Sequence, residues 1–310
     1  MFISVIIPAF NRRERLKLCI DSLLEQSLGR DKYEIIVVDD GSTDGTAVLL
    51  QEYVKRRQIV YMRQEHRGPA AARNIGIFKA NGDAFFFTGD DMIADRQLLE
   101  THYRELEGAP EDTAILGLVV WHPEISATPF MRFLEQGTQF NFVNLSDNHF
   151  VNYGYFATAN VSLRKTLIAK TGGFDEEFLY PCVEDVEFAW RLGKAGMRLK
   201  HIKAAKVFHY HPTRLKDYVK RQYLVGRSLI VLVKKHPQKF KAELGNFAHQ
   251  NIYWVFLKGM AAWFLVYLLE PFGESELLFR CYVAVLNFYE LKGFKEQKIN
   301  YAANTISGNR

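Results

Sequence analysis

Four short stretches carry the side chains best suited to chemistry. Phe85 to Met92 reads FFFTGDDM, three aromatics of strand character ending in the adjacent carboxylates Asp90 and Asp91. An apolar run belongs in a sheet core, where ionised groups are costly unless paired or bound to a cation, so the carboxylates are expected at the strand's exit. Oxygen ligands of this kind suit Mg or Mn. A plain surface turn of Gly89, Asp90 and Asp91 is the competing reading, because Gly and Asp are favoured turn residues. Residues 39–45 read DDGSTDG, a loop of carboxylates and hydroxyls after a second apolar run. Such a loop can accept the hydrogens of a nucleobase and ribose, and neither GxxxxGK[ST] nor GxGxxG, the phosphate-cradling patterns, is present. Glu184 and Asp185 open a segment in which Asp185, Phe188, Ala189 and Leu192 share one helical face while Glu184, Glu187 and Arg191 share another. A carboxylate near a helix N-terminus interacts favourably with the exposed amides, so helix capping is the plain reading of this pair. His209 and His211 flank Tyr210 and would point to one side of a strand.

These groups need elements to hold them. Ile3 to Ile7 reads as a strand closed by Pro8, followed by a helix from Asn11 to Ser27 with Leu16, Cys19, Ile20, Leu23 and Leu24 at helical spacing. A second strand, Glu34 to Val38, ends in Asp39 and Asp40, and Thr43 to Arg56 reads as a second helix. Ile59 to Arg63, a helix from Pro69 to Asn81 and the strand Ala84 to Phe87 continue the alternation. Strands alternating with helices imply a parallel sheet, and ligands of such sheets bind beyond the strand C-termini. Both acidic clusters lie at such ends. Past about Gly108 the pattern weakens: Leu116 to Trp121 and Lys206 to His211 resemble strands, and Phe130 to Tyr155 is aromatic, polar and without a clear period.

At 310 residues, 48% hydrophobic and 24% charged, the chain suits a globular protein with one large core or two domains. Cys19, Cys182 and Cys281 form no CxxC pair, which argues against a disulfide scaffold or a thiolate metal site. Met1 leads directly into the first strand, so no secretory signal is expected and the cytoplasmic face is the expected location. Between Arg198 and Lys241 stand 13 Lys or Arg against one acid, Asp217. Such a segment suits anionic lipid or a phosphorylated substrate, with a solvated helix face as the competing reading; no nucleic-acid motif accompanies it.

In one order along roughly the first 210 residues stand ISVIIPAFNR, VVDDGSTDGT, RGPAAARNIG, FFFTGDD, GGFDEEF and VEDVEFAWRLGKAG. As a set they resemble a family 2 glycosyltransferase of the GT-A fold. That resemblance implies an α/β fold, with a nucleotide-binding sheet flanked by helices and a mostly helical C-terminal extension. It also implies inverting transfer from a nucleotide-diphosphate sugar to a hydroxyl acceptor, assisted by Mg or Mn. Phe10, beside Pro8 and Ala9, would pack on the base, Asp40 would receive its imide hydrogen, and Arg73 would lie beside the nucleotide. Asp91 would bind the metal and Asp90 the ribose or the metal's surroundings. Gly89 stands where the family's Asp-x-Asp motif has its first carboxylate. Asp185 would be the general base, with Glu184 supporting it, and His209 or alternatively His211 would complete the metal or diphosphate site. Gln222, Gly226 and Arg227 stand where processive relatives carry a Gln-x-x-Arg-Trp motif, which is not reproduced and so argues for a single addition. The competing functions are a non-catalytic nucleotide-sugar-binding module and a sugar-phosphate nucleotidyltransferase. The first should lack a base, and the second needs a glycine-rich basic loop where this chain has PAFNRR.

The expected division is a GT-A domain over 1–212, with a nucleotide-sugar half over 1–107 and an acceptor and catalytic half over 108–212, then a helical extension over 213–310. Within that extension Ile252 to Leu269 is 18 residues with one charge, Lys258. A spanning helix wants about 20 apolar residues, and a central Lys costs on the order of 3 kcal/mol. A Trp-bearing apolar helix after a basic segment therefore suits peripheral or monotopic docking on an anionic membrane. A buried hairpin or a homodimer interface is the alternative. Glycan synthesis at the cell surface, on a lipid-linked or other glycan acceptor, is the expected setting.

Overall fold

Ile3, Val5, Ile6 and Ile7 are sealed from solvent because their strand, β1 (Ile3–Ala9), lies inside a sheet. The chain continues through α1 (Arg13–Leu24), β2 (Tyr33–Asp39), α2 (Thr46–Lys55), β3 (Val60–Arg63), α3 (Pro69–Lys79) and β4 (Ala84–Thr88). β2 and β4 pair with β1 in parallel, and β3 pairs in parallel with β2. All four strands therefore exit on one side, where Asp39, Asp40 and the turn Gly89–Asp91 emerge. Phe85, Phe86 and Phe87 are fully buried, as their run of aromatics requires. α1 covers the sheet through Leu16, Cys19, Ile20 and Leu23.

The first two helices start later than their spacing suggests because the preceding residues bind each other. Asn11 N donates to Ser42 Oγ (2.9 Å), Thr43 N donates to Asn11 Oδ1 (2.8 Å), and Arg13 N donates to Asp44 Oδ2 (2.9 Å). The two loops at the exits of β1 and β2 are thus one hydrogen-bonded unit.

Past β4 follow β5 (Met92–Ala94), α4 (Leu98–Glu107), β6 (Thr113–Trp121), α5 (Pro129–Phe133), β7 (His149–Val151), β8 (Asn160–Arg164), α6 (Lys165–Thr171), α7 (Val183–Lys194) and β9 (Arg198–His209). β8 lies antiparallel between β4 and β6, while β9 is parallel to β6 and antiparallel to β5 and β7. Among the described residues nine strands form one sheet in the order β3-β2-β1-β4-β8-β6-β9-β5, with β7 on β9. β9 begins at Arg198, well before Lys206, and a bulge that interrupts its alternation hides that first part from the sequence pattern. Gly117 faces Ile202 but Leu118 faces Lys206, and Asn160 Nδ2 fills the gap by donating to Leu118 O (3.0 Å) and Ala205 O (2.9 Å). Such a bulge changes a strand's course without leaving a readable period.

This computed structural model describes residues 1–139, 142–180, 183–245 and 249–307, so Cys182 lies outside the described residues. It divides into two compact units, Met1–Ser126 with Glu135–His211, and Ala127–Leu134 with Pro212–Arg310. The first is the mixed α/β sheet structure just described. The second is helical, built from α5, α8 (Leu215–Lys235), α9 (Pro237–Glu243) and the long helices Ile252–Leu269 and Glu276–Ser307.

Within the second unit α8 and the Glu276–Ser307 helix touch backbone to backbone. A Cβ on Gly226 would fall 1.9 Å from Glu290 O, and one on Gly293 would fall 2.0 Å from Tyr223 O. Gln222 donates to Glu290, and Arg227 Nε donates to Gln297 Oε1 (3.0 Å). Gln222, Gly226 and Arg227 therefore serve this helix pairing. The Ile252–Leu269 helix buries Gly259, Ala262 and Val266 but leaves Trp254, Phe264 and Tyr267 more than 60% exposed. Residues Ile252–Phe272 form one helix long and apolar enough to cross a membrane, the one such segment among the described residues.

Candidate active site

The exit of β1 places Phe10 at the surface. Pro8 and Ala9 pair with Val38 and Asp39 inside the sheet, with Ala9 buried, so they set the position of Phe10. At the exit of β2 the two adjacent carboxylates divide their work. Asp39 is fully buried and braces its own loop, accepting from Ser42 N (2.8 Å) and Tyr61 OH (3.1 Å). Asp40 instead gathers the segment after β3. It accepts from Gln64 Nε2 (2.5 Å), Arg67 N (2.8 Å) and Gly68 N (2.9 Å), and His66 Nδ1 stands 2.8 Å from its Oδ2. The His66 ring also stacks on Phe10, with centroids 4.1 Å apart and planes at 19°.

The turn after β4 carries Asp90 and Asp91 across to β5, whose Met92 pairs with His209. Both carboxylates are buried, at 5% and 6% exposure, which decides against a plain surface turn. Phe10 N donates to Asp90 Oδ2 (3.2 Å), tying this turn to the exit of β1. Arg12, which the sequence does not single out, donates through Nη1 to Asp90 Oδ1 and Asp91 Oδ2, both at 2.8 Å. His209 Nε2 (3.2 Å) and His211 Nδ1 (3.3 Å) reach the same Asp91 oxygen. Both histidines thus converge on Asp91. Below the turn, the Cys19 thiol donates to Gly89 O (3.4 Å).

Burial opposes ionisation of Asp91, but the neighbouring His209 and Arg12 and the bonds from both histidines outweigh it and hold the carboxyl well below the usual range. Asp90 moves the other way, pushed up by burial and by Asp91, with Arg12 offsetting part of the rise. Arg12 is itself raised, since attraction to the two carboxylates exceeds its burial cost. Asp91, His209 and His211 bring one carboxylate oxygen and two ring nitrogens within 4.8 Å of one another.

A second cluster forms at the head of α7. Arg73 on α3 is buried and donates to Glu184 Oε1 (2.9 Å), with Asp185 Oδ1 at 3.8 Å. Helical spacing places Asp185 over the apolar stripe, yet Glu184 is the buried one at 1% exposure, because Arg73 meets it there. Burial and the neighbouring Asp185 push Glu184 up to about 7, against the pull of Arg73. Asp185 keeps 16% of its side chain exposed. Thr158 orients it, donating from N (3.0 Å) to Oδ2 and from Oγ1 to both oxygens (3.0 and 2.9 Å). Thr158 lies between β8 and the stretch without a readable period that ends at Tyr155, and no sequence motif marks it. Thr88 Oγ1, at the end of β4, donates to Ala159 O (3.1 Å) and so joins this cluster to the strand that delivers Asp90 and Asp91.

Comparison with known families decides the relationship. The model of "Glycosyl transferase family 2" matches residues 4–168, more than half the chain. This chain is a family 2 glycosyltransferase. A second model, "Glycosyl transferase family group 2", matches residues 90–289 and so takes in His209, His211 and the Ile252–Leu269 helix. Among curated relatives of this family 2 chain, the glycosyltransferase AglE of Haloferax volcanii is 28% identical over 74% of the chain and 73% of its own length. The hyaluronan synthase of Pasteurella multocida is 27% identical over 77% of the chain, which spans 28% of that larger protein. Two solved structures share the fold. The mannosyltransferase PcManGT from Pyrobaculum calidifontis, in complex with GDP-Man and Mn2+, aligns with a TM-score of 0.62 at 17% identity, covering 95% of this chain and 86% of its own. S. aureus TarS 1-349, in complex with UDP, aligns at 0.55 and 16% identity, covering 98% of this chain and 92% of its own. The fold of the family 2 chain is accordingly GT-A.

Proposed function

We propose that this chain transfers a sugar from a nucleotide-diphosphate sugar to a hydroxyl acceptor with inversion at the anomeric carbon. The observation that carries the reading is Asp185, a partly exposed carboxylate locked by Thr158 beside the buried Arg73–Glu184 pair. A general base must reach its proton, and Glu184 at 1% exposure is shut away while Asp185 is not. As the acceptor oxygen bonds to the anomeric carbon, Asp185 takes the hydroxyl proton. The bond from that carbon to the diphosphate breaks, and its electron pair leaves with the nucleoside diphosphate. One base and no enzyme nucleophile is the set that a single inverting displacement requires.

Phe10 and Asp40 supply a flat aromatic face and a buried acceptor for a nucleobase that carries a ring N–H, with Asp90 toward the ribose and Arg73 near the nucleotide. Asp91, His209 and His211 suit a divalent ion by donor type, and two imidazoles with one carboxylate favour Mn over Mg. Bound there, such an ion would act as a Lewis acid on the departing diphosphate. Relatives named as hyaluronan and chondroitin synthases make glycans, and the same setting, with a glycan or lipid-linked acceptor, is proposed for this chain.

The exposed aromatics of the Ile252–Leu269 helix and the preceding basic segment support docking on an anionic membrane surface, which we place on the cytoplasmic face. On this reading residues 1–212 form the transferase domain and 213–310 the membrane-docking extension. The test is a panel of nucleotide sugars with Mn2+, scored by release of the nucleoside diphosphate. Asp185→Asn should keep nucleotide affinity and lose transfer. Wild-type rates in that variant would remove Asp185 from the base's role.

A further inference from the structure

His66 makes both of the contacts that the proposed site reserves for a nucleobase. Its ring lies flat on Phe10, 4.1 Å between centroids, and its Nδ1 stands 2.8 Å from Asp40 Oδ2. A base with a ring N–H would do the same two things, stacking on the aromatic face and donating to the buried carboxylate.

The other partners of Asp40 are not exchangeable in the same way. Arg67 N and Gly68 N are backbone groups of the segment at the entry to α3, and Gln64, whose side-chain amide also donates to Asp40, is less exposed than His66. That segment cannot draw back, because it lies on Gly41: a Cβ there would meet His66 N at 3.0 Å and Gln64 O at 3.4 Å, and Gly41 holds φ +83°. The His66 side chain differs, being 58% exposed. Beside it an open cavity of about 500 Å³ is lined by Gly41, Arg63, Gln64, Glu65 and His66, so a rotated imidazole has room. Side-chain rotation of an exposed residue takes picoseconds to nanoseconds and moves no backbone.

We propose that His66 is a stand-in for the nucleobase: it holds the face of Phe10 and the Asp40 oxygen in the donor-free chain, and the donor must displace it. This rests on the nucleotide-sugar reading of the site, and it makes His66 the residue that sets donor affinity. A ligand that binds only the displaced form has its dissociation constant multiplied by the inverse of that form's population. Removing the imidazole therefore tightens binding.

The experiment is calorimetric titration of UDP and of GDP, each with Mn2+, into wild type, His66→Ala, Phe10→Ala and Asp40→Asn. The expected result is roughly 5- to 10-fold tighter binding by His66→Ala, with weaker binding by the other two variants. Binding that is unchanged or weaker in His66→Ala, while Phe10→Ala and Asp40→Asn bind less, overturns the stand-in alone and makes His66 a wall of the base site. If neither Phe10→Ala nor Asp40→Asn weakens binding, the nucleotide reading of this site falls instead. If wild type binds neither nucleotide, binding gained by His66→Ala supports the proposal and continued silence overturns it. An independent readout is the His66 ring-proton resonance, which should lose its ring-current shift from Phe10 when the nucleotide binds.

Discussion

Arg12 holds Asp91 by a charge-assisted hydrogen bond, Nη1 to Oδ2 at 2.8 Å, while the same nitrogen holds Asp90 Oδ1 at 2.8 Å. One guanidinium therefore bridges two buried carboxylates, offsetting one unit of their charge, at the turn proposed to face a divalent ion. Arg12→Gln should lower the melting temperature in chelator, by about 2 kcal/mol of stability once screening of the partly exposed guanidinium is allowed for. Mn2+ alone should restore it, because a cation that binds the folded chain stabilises by mass action. A melting temperature that falls and ignores Mn2+ would show that these carboxylates hold no such ion.

His209 Nε2 and His211 Nδ1 both reach Asp91 Oδ2, and both are proposed as ligands of the ion. His209→Ala and His211→Ala should each weaken Mn2+ binding by about tenfold or more, and Asp91→Asn should weaken it at least as much. Titration of Mn2+ into each variant gives the ranking. Loss confined to one histidine would reduce the cluster to a two-residue site.

Glu184 titrates at about 7 in the fold, above its ordinary 4.5, because burial and Asp185 outweigh Arg73. A carboxyl raised on folding contributes stability that is complete below its unfolded value. That contribution disappears as pH rises through the folded value. The wild type should lose stability between pH 4.5 and about 7 on this account, by an amount on the order of 1–3 kcal/mol. Glu184→Gln should flatten that part of the profile in urea melts at several pH values. The same substitution leaves Arg73 with Asp185 as its nearest carboxylate, so it should lower kcat while sparing nucleotide affinity. A profile as steep as wild type would remove Glu184 as the titrating group.

Gly226 and Gly293 let two helices meet at their backbones, and a methyl on either has no space. Gly226→Ala should cost about 1–3 kcal/mol by overpacking. Gly245→Ala, where a Cβ meets nothing within 4 Å, should be neutral and serves as the control. Thermal melts of the full chain distinguish the two, and equal behaviour would contradict the close helix contact.

Trp254, Phe264 and Tyr267 project from an apolar helix that follows a basic segment. Co-sedimentation with vesicles should rise with anionic lipid content and weaken in salt, since each nearby basic residue contributes about 1 kcal/mol that ions screen. Replacing Lys234, Lys235, Lys239 and Lys241 by Gln should reduce it. Resistance to salt and alkali would indicate a spanning helix. Indifference to vesicles, with a doubled mass in solution, would indicate a homodimer face.

Local information was enough to place the carboxylates. A run such as FFFTGDD has to bury its aromatics and expel its acids at the strand end, and the alternation of strands with helices puts the exits of β1, β2 and β4 on one side. Those conclusions depend on period and residue type, which neighbours in the chain determine. Which atoms then meet depends on residues far apart in sequence. Arg12 bridges two acids almost 80 positions away, and Thr158 fixes Asp185 from a position that no sequence motif marks. A bulge filled by Asn160 interrupts the strand that carries His209 to Asp91. Helical spacing assigned Asp185 to the apolar face, and Arg73 reversed the burial by drawing Glu184 inward, because a buried guanidinium needs a carboxylate and α3 puts it there. Hydrogen-bond and charge pairing are satisfied by whichever groups the fold brings within about 3 Å, and only the packed chain determines that.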